Sequence, residues 1–313
     1  MSYSKPATLS RLTDATLGCF SRFPQSEFLD HLVRFLSTWS GSDKFFNIIQ
    51  RLVSLLAAYL SLRARLQHRA GLRAKPVSNA AAGCSNFARV ISKSRTLYRF
   101  WGLIPIFQWM IALERNPQPT RNLLNIERLQ GWSMLGYYPL EHLTFLRSND
   151  VIPSQLSLRV SPLSKPKKLD LNAGEMSLWS CRCWAAYVVL QFAHLREQRK
   201  LLQTRQRNLR KAKGSSLSTA EKEELKKNWD AYWSELVMNA ANFALALNDS
   251  SRTGYMNGVW YDLITLFATA LSFRSGWKAT ALPPAPHPTE KTNGDVPEPT
   301  VSGYDAAPGE GSS

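Results

Sequence analysis

From Ser26 to Trp39 the apolar residues Phe28, Leu29, Leu32, Val33, Phe35, Leu36 and Trp39 recur at steps of three and four, the spacing of one side of an α-helix. The same periodicity returns along most of the chain. No stretch of useful length alternates polar and apolar residues, and no unit repeats at a fixed period. These patterns predict an all-α fold. Pro24 and Ser40-Gly41 punctuate the first helix. Ser42-Asp43 offers a cap for a second, whose stripe is Phe45, Ile48, Ile49, Leu52, Leu56, Tyr59 and Leu60. That helix turns basic at Arg63, Arg65, His68, Arg69 and Arg73, where cations complement the dipole.

Further along, Leu103–Leu113 is strongly apolar but too short to cross a bilayer alone, and Pro139, Glu141 and His142 weaken Arg128–Leu146. Met176–Leu195 has spanning length but contains Arg182; Val259–Phe273 is shorter and contains Asp262. One or two spanning helices are therefore expected in a membrane-associated helical protein. The expected organisation is a flexible segment at 1–25 and an amphipathic helical region at 26–147. A Pro/Ser/Lys-rich linker at 148–175 leads to a membrane-associated helical region at 176–278, with a basic insert at 196–228. The tail, 279–313, is rich in Pro and Gly and acidic; with few large apolar residues it is expected to be disordered.

The formal net charge is +16, and about +20 lies ahead of the acidic tail. Such an excess predicts an anionic partner, either phosphate backbones or lipid headgroups. Four cysteines, Cys19, Cys84, Cys181 and Cys183, do not make a disulfide framework in 313 residues. The first eighteen residues hold no apolar run of signal-peptide length, so synthesis in the reducing cytosol is expected. Enzymatic chemistry has no carrier: there is no Gly-rich phosphate loop, no His-Glu-x-x-His and no paired-Cys zinc spacing. His31, His68, His142, His194 and His287 are scattered singly, and Cys181-Arg182-Cys183 sits in an apolar helix. Neither a cofactor nor a metal is expected.

The most informative segment is Ser85–Pro105, SNFARVISKSRTLYRFWGLIP. On a helical wheel Phe87, Val90, Ile91, Leu97, Tyr98 and Trp101 share about one third of the circumference with Ser94. Arg89, Lys93, Arg95 and Arg99 occupy the rest, with no acid among them, and Phe100 is the one apolar residue on the polar side. One reading is a bundle helix with its arginines in water. The other is an interfacial helix, which favours a basic polar face and aromatic residues near its edge. In that reading Arg89, Lys93, Arg95 and Arg99 hold headgroups, and Phe87, Val90, Ile91, Leu97, Tyr98 and Trp101 insert among the acyl chains. Nucleic-acid binding would need aligned basic faces or aromatics free for stacking. A carrier or pore would use Arg182 and Asp262 as polar lining.

HLVRFLSTWSGSDKFFNIIQRLVSLLAAYL followed by SNFARVISKSRTLYRFWG resembles the peroxin-11 family of peroxisomal membrane proteins. Gly41, Asp43, Lys44, Ile49 and Gln50 match the family's leading block. Ser94, Arg95, Leu97, Tyr98, Arg99 and Gly102 match its amphipathic-helix block, and Leu236, Asn239, Ala240, Leu245 and Ala246 a later one. The likeness covers roughly 26–147 and 176–278. It implies a non-enzymatic protein of the peroxisomal membrane that elongates peroxisomes by amphipathic-helix insertion and promotes their proliferation and fission. The partners it implies are an anionic phospholipid membrane, further copies in a homo-oligomer, the peroxisomal fission machinery and an import receptor for peroxisomal membrane proteins. Nucleic acid is not among them. The basic stretches Arg63–Arg73 and Arg196–Lys213 are either targeting elements for that receptor or solvated flanks that set topology.

Overall fold

The computed structural model describes residues 17–18, 24, 26–116, 118–158, 167–213 and 218–281. The expected flexible N-terminus and disordered tail fall mostly outside them. The helices, in chain order, are α1 (Glu27–Ser37), α2 (Trp39–Arg69), α3 (Asn79–Tyr98), α4 (Leu103–Arg115), α5 (Arg121–Ser148), α6 (Ala173–Lys213), α7 (Thr219–Ser250) and α8 (Gly258–Ala279). A 3-10 turn, Arg99–Gly102, joins α3 to α4. The fold is all-α, with one addition: the connector holds a short antiparallel hairpin, β1 (Gln155–Leu158) with β2 (Lys167–Asp170), in which Gln155 pairs with Asp170. Four residues per strand give too little alternation to register as a strand pattern.

Several boundaries differ from the sequence reading, each for a local reason. Thr38 alone separates α1 from α2: its backbone is extended, and its hydroxyl accepts from Gly41 N–H at 3.0 Å. Helix α2 therefore starts before Ser42, and Asp43 is released from capping to face another helix. Helix α3 starts at Asn79 because Ser78 caps it, accepting from Ala81 N–H at 3.3 Å. Helix α5 passes through Pro139, and α6 runs unbroken from the apolar Met176–Leu195 into the basic stretch. The change in composition at Arg196 is thus no boundary in the helix. Ser218 and Glu221 form a capping box at the start of α7.

The order of packing is a ring: α2 on α3, α5 on α6, α6 on α7, α7 on α8 and α8 back on α2, with α3 and its terminal turn meeting α5. Helix α1 closes the end of α8, where Phe35 is buried against Phe273 at 4.6 Å and His31 lies 3.8 Å from the Trp277 ring. The α2–α3 seam runs at seven-residue steps. Asp43, Gln50, Ala57 and Ala64 line it on α2; Ala81, Ala88 and Arg95 line it on α3. Ala57, Ala64, Ala81 and Ala88 are all buried, so the two backbones approach closely.

The interior is unusually polar. Arg51 pairs with Asp262 at 2.8 Å, and Asn47 donates to Thr269 at 2.8 Å, joining α2 to α8. His194 meets Glu127 at 3.0 Å, Gln130 donates to Gln191 at 2.6 Å, and Asn239 donates to the Val188 carbonyl at 3.2 Å. Meanwhile Phe46, Leu56, Trp101, Phe107, Trp132, Trp179, Trp233, Trp260 and Phe267 stand exposed. A protein meant for water on every side rarely distributes its side chains this way.

Gly41 sits where the chain turns from α1 into α2. A Cβ there would collide with the Phe35 carbonyl oxygen and lie 2.7 Å from the Thr38 hydroxyl. Both atoms belong to the corner itself, so neither yields cheaply. Gly41→Ala is expected to destabilise the fold by about 2 kcal/mol. Limited proteolysis should show faster cleavage between α1 and α2, with the rest of the map unchanged.

Candidate membrane-binding face

Helix α3 presents most of its apolar stripe to the outside. Phe87, Val90, Leu97, Tyr98 and Trp101 are 53%, 58%, 54%, 56% and 68% exposed, whereas Ile91 is buried at 7%. The stripe continues past the 3-10 turn into Ile104, Phe107 and Ile111 of α4, all exposed. Phe100, on the other side of the wheel, stacks on His142 at 4.1 Å and meets Phe145 edge-on. Its position off the stripe is thereby explained: it anchors the turn to α5.

The four cations divide into two pairs. Arg89 and Lys93 are exposed, with Arg89 donating to Asn86 at 2.7 Å and Lys93 to Asn149 at 3.1 Å. Arg95 is buried: its Nε and Nη2 reach Asp43 at 2.8 and 2.9 Å, and its Nη1 reaches Gln50 at 3.0 Å. Arg99 is half-buried, donating to the Tyr137 hydroxyl at 3.1 Å and pairing with Glu141 at 3.1 Å. Burial works against the charge on Arg99, but Tyr137, Glu141 and Asp43 outweigh it and hold the guanidinium above its ordinary range. Burial likewise pushes the Tyr137 phenol well up, so it stays protonated and donates to Glu141 at 2.9 Å.

Two headgroup assignments and one insertion assignment are corrected accordingly. Arg95 and Arg99 are occupied by carboxylates inside the fold, and Ile91 belongs to the interhelical packing. The cations left for an anionic surface are Arg89 and Lys93, and the side chains left for insertion are Phe87, Val90, Leu97, Tyr98 and Trp101. The wheel places all four cations off the apolar stripe, but it carries no information about a neighbouring helix. The seven-residue series Ala81, Ala88, Arg95 was the signal that Arg95 faces a partner.

The expected spanning segments also change. Among the described residues, α2 is the one helix with the length and apolar content to cross a bilayer, and little of its apolar window is buried. Met176–Leu195 and Val259–Phe273 do not reach that level. The two charges offered as a polar lining are placed otherwise: Asp262 is buried between Arg51 and Ser54, and Arg182 lies over the exposed Trp179 ring at 4.8 Å. Cys84, Cys181 and Cys183 are free thiols, and among the described residues no three His, Cys, Asp or Glu side chains converge on a metal position.

A polar-cored helical bundle with an uncovered, basic-edged amphipathic helix defines the class: a helical protein suited to a membrane. The family model described as peroxisomal biogenesis factor 11 (PEX11) matches residues 29–278, and the chain belongs to that family. It is therefore a peroxisome-associated biogenesis and proliferation factor. No curated protein and no solved structure matches the chain.

The residues shared with the family blocks acquire physical roles here. Asp43 and Gln50 of the leading block receive Arg95 of the amphipathic block, so one buried guanidinium joins the two. Gly102 allows the Tyr138 ring to approach, since a Cβ there would lie 2.7 Å from it. Asn239 of the later block ties α7 to α6.

Proposed function

We propose that this protein remodels and elongates the peroxisomal membrane by inserting the outer face of α3 into the cytosolic leaflet, promoting proliferation and fission. The observation that supports this reading is the uncovered stripe Phe87, Val90, Leu97, Tyr98 and Trp101, flanked by Arg89 and Lys93. A helix serving only to pack a bundle turns such a stripe inward; α3 packs through alanines, Ile91 and Arg95 instead. Each apolar side chain half-buried in lipid contributes about 1 kcal/mol. Each cation near an anionic surface adds about 1 kcal/mol. The result is reversible binding to one leaflet, which expands that leaflet and curves the bilayer when many copies gather.

The test is co-sedimentation of the full chain with phosphatidylcholine/phosphatidylserine vesicles. Arg89→Glu with Lys93→Glu removes two attractions and adds two repulsions. Affinity is expected to fall at least about 30-fold, roughly 2 kcal/mol, with an unchanged helical circular-dichroism spectrum. Undiminished binding by this variant would sink the reading. Self-association and recruitment of the fission machinery belong to the same proposal, and proximity labelling on peroxisomes tests them.

A further inference from the structure

Helix α2 has the length to cross a membrane, yet its place in the fold argues against crossing. The stretch Phe45–Leu62 carries one charge, Arg51, and at about 1.5 Å per residue covers about 27 Å, close to the hydrocarbon thickness of roughly 30 Å. Four of its polar residues, Asn47, Gln50, Arg51 and Ser54, are turned inward and engaged. Asn47 bonds Thr269, Gln50 accepts from Arg95, and Arg51 and Ser54 share Asp262. Its outward residues Phe46, Leu52, Leu56, Tyr59 and Leu62 are exposed. Taken alone, this is a helix built to touch acyl chains.

The register with α3 fixes how. Arg95 bonds both Asp43 and Gln50, and the buried alanines continue the seam in antiparallel sense. Arg89 and Lys93, about one and two-thirds turns and about half a turn before Arg95, therefore lie beside the Phe45–Leu62 stretch, Arg89 at its middle and Lys93 between its middle and its start. If α2 crossed the bilayer with α3 at its side, both exposed cations would sit within the hydrocarbon, Arg89 near the bilayer centre. A cation there is disfavoured by about 2.5–3.5 kcal/mol on insertion scales, and by more on an isolated helix. Laid flat, the pair keeps both cations at headgroup level. The apolar stripes of the two helices also meet, through the Trp39–Tyr98 ring contact at 6.2 Å.

We infer that α2 lies in the plane of the leaflet beside α3, and that the α2–α3 hairpin is the lipid-inserting unit. This rests on the proposed placement of α3 at a membrane and adds a second acyl-chain-contacting surface, the outer face of α2. Two helices at the usual spacing of about 8–10 Å make a wedge roughly twice as wide as one.

Two readouts on the full chain test this. The first maps adducts from a phosphatidylcholine bearing a diazirine in its acyl chain, in phosphatidylcholine/phosphatidylserine vesicles. The second labels Ser37→Cys or Leu72→Cys, at opposite ends of α2, with a membrane-impermeant maleimide on intact peroxisomes, the native cysteines being replaced by serine. The expected result is adducts on both 52–66 and 87–101, with each cysteine labelled to within twofold of its level in detergent. Labelling of one end that rises more than tenfold on adding detergent shows a crossing helix and overturns the inference. Adducts on 87–101 alone also overturn it while leaving the proposed function standing. Adducts on 52–66 alone, or on neither segment, overturn both.

Discussion

Arg95→Ala is expected to lower the stability of the fold by about 3–5 kcal/mol, the cost of leaving a buried carboxylate without its partner. Arg95 and Asp43 are both about nine-tenths buried, and their contact is bidentate, with Gln50 taking the remaining guanidinium nitrogen. For a chain of this size the loss corresponds to a fall in melting temperature of roughly 10 °C, followed by circular dichroism in detergent. Arg89→Ala, on the same helix but exposed, should change stability by less than about 0.5 kcal/mol. The control is Asp43→Ala with Arg95→Ala. Removing both charges leaves no unpaired ion, so the double variant should be less destabilised than the two single losses combined, by about 2 kcal/mol or more. Additive losses would mean that Arg95 contributes through packing and not through its charge. Vesicle binding per folded molecule should be preserved in Arg95→Ala and in the double variant but fall about fivefold in Arg89→Ala, which separates a residue that positions α3 from one that touches lipid.

That contrast also shows what was legible in the sequence. The three-and-four spacing of apolar residues located most of the helices, because each must bury or present one face whatever surrounds it. The stripe on α3 was legible for the same reason. The division of its cations was not, since a wheel drawn for one helix cannot tell a solvated arginine from one aimed at a neighbour. The seam Asp43, Gln50, Ala57, Ala64 against Ala81, Ala88, Arg95 could have shown it, but small residues carry little weight in a hydropathy reading. Composition misled at Arg196, where apolar gives way to basic inside a continuous α6, because backbone hydrogen bonding is indifferent to which side chains it carries. It misled again over spanning segments. In α2 the polar residues are scattered among apolar ones and resemble an amphipathic pattern, but all those within its apolar stretch that meet a partner meet it in α3 or α8.

Val90→Asp combined with Leu97→Asp should reduce binding to anionic vesicles more than about 100-fold, a loss of at least about 2.8 kcal/mol. Both side chains are more than half exposed, so the fold does not depend on them; melting temperature should stay within a few degrees of the parent. Each substitution removes an apolar group worth about 1 kcal/mol or more in lipid. Each also places a carboxylate where the apolar face would enter, and anionic headgroups repel it. Charge reversal at Arg89 and Lys93 weakens the encounter with the surface, and high salt should mask part of that difference. The Asp pair instead attacks burial of the stripe, which salt does not restore. In cells the Val90/Leu97 variant should still sort to peroxisomes if the basic stretches of α2 and α6 carry targeting, yet leave them short and unelongated. Elongation that persisted with this variant would remove α3 as the wedge. The outer face of α2, with Leu52, Leu56 and Tyr59 exposed, would then be left as the remaining apolar surface of the hairpin able to enter the leaflet.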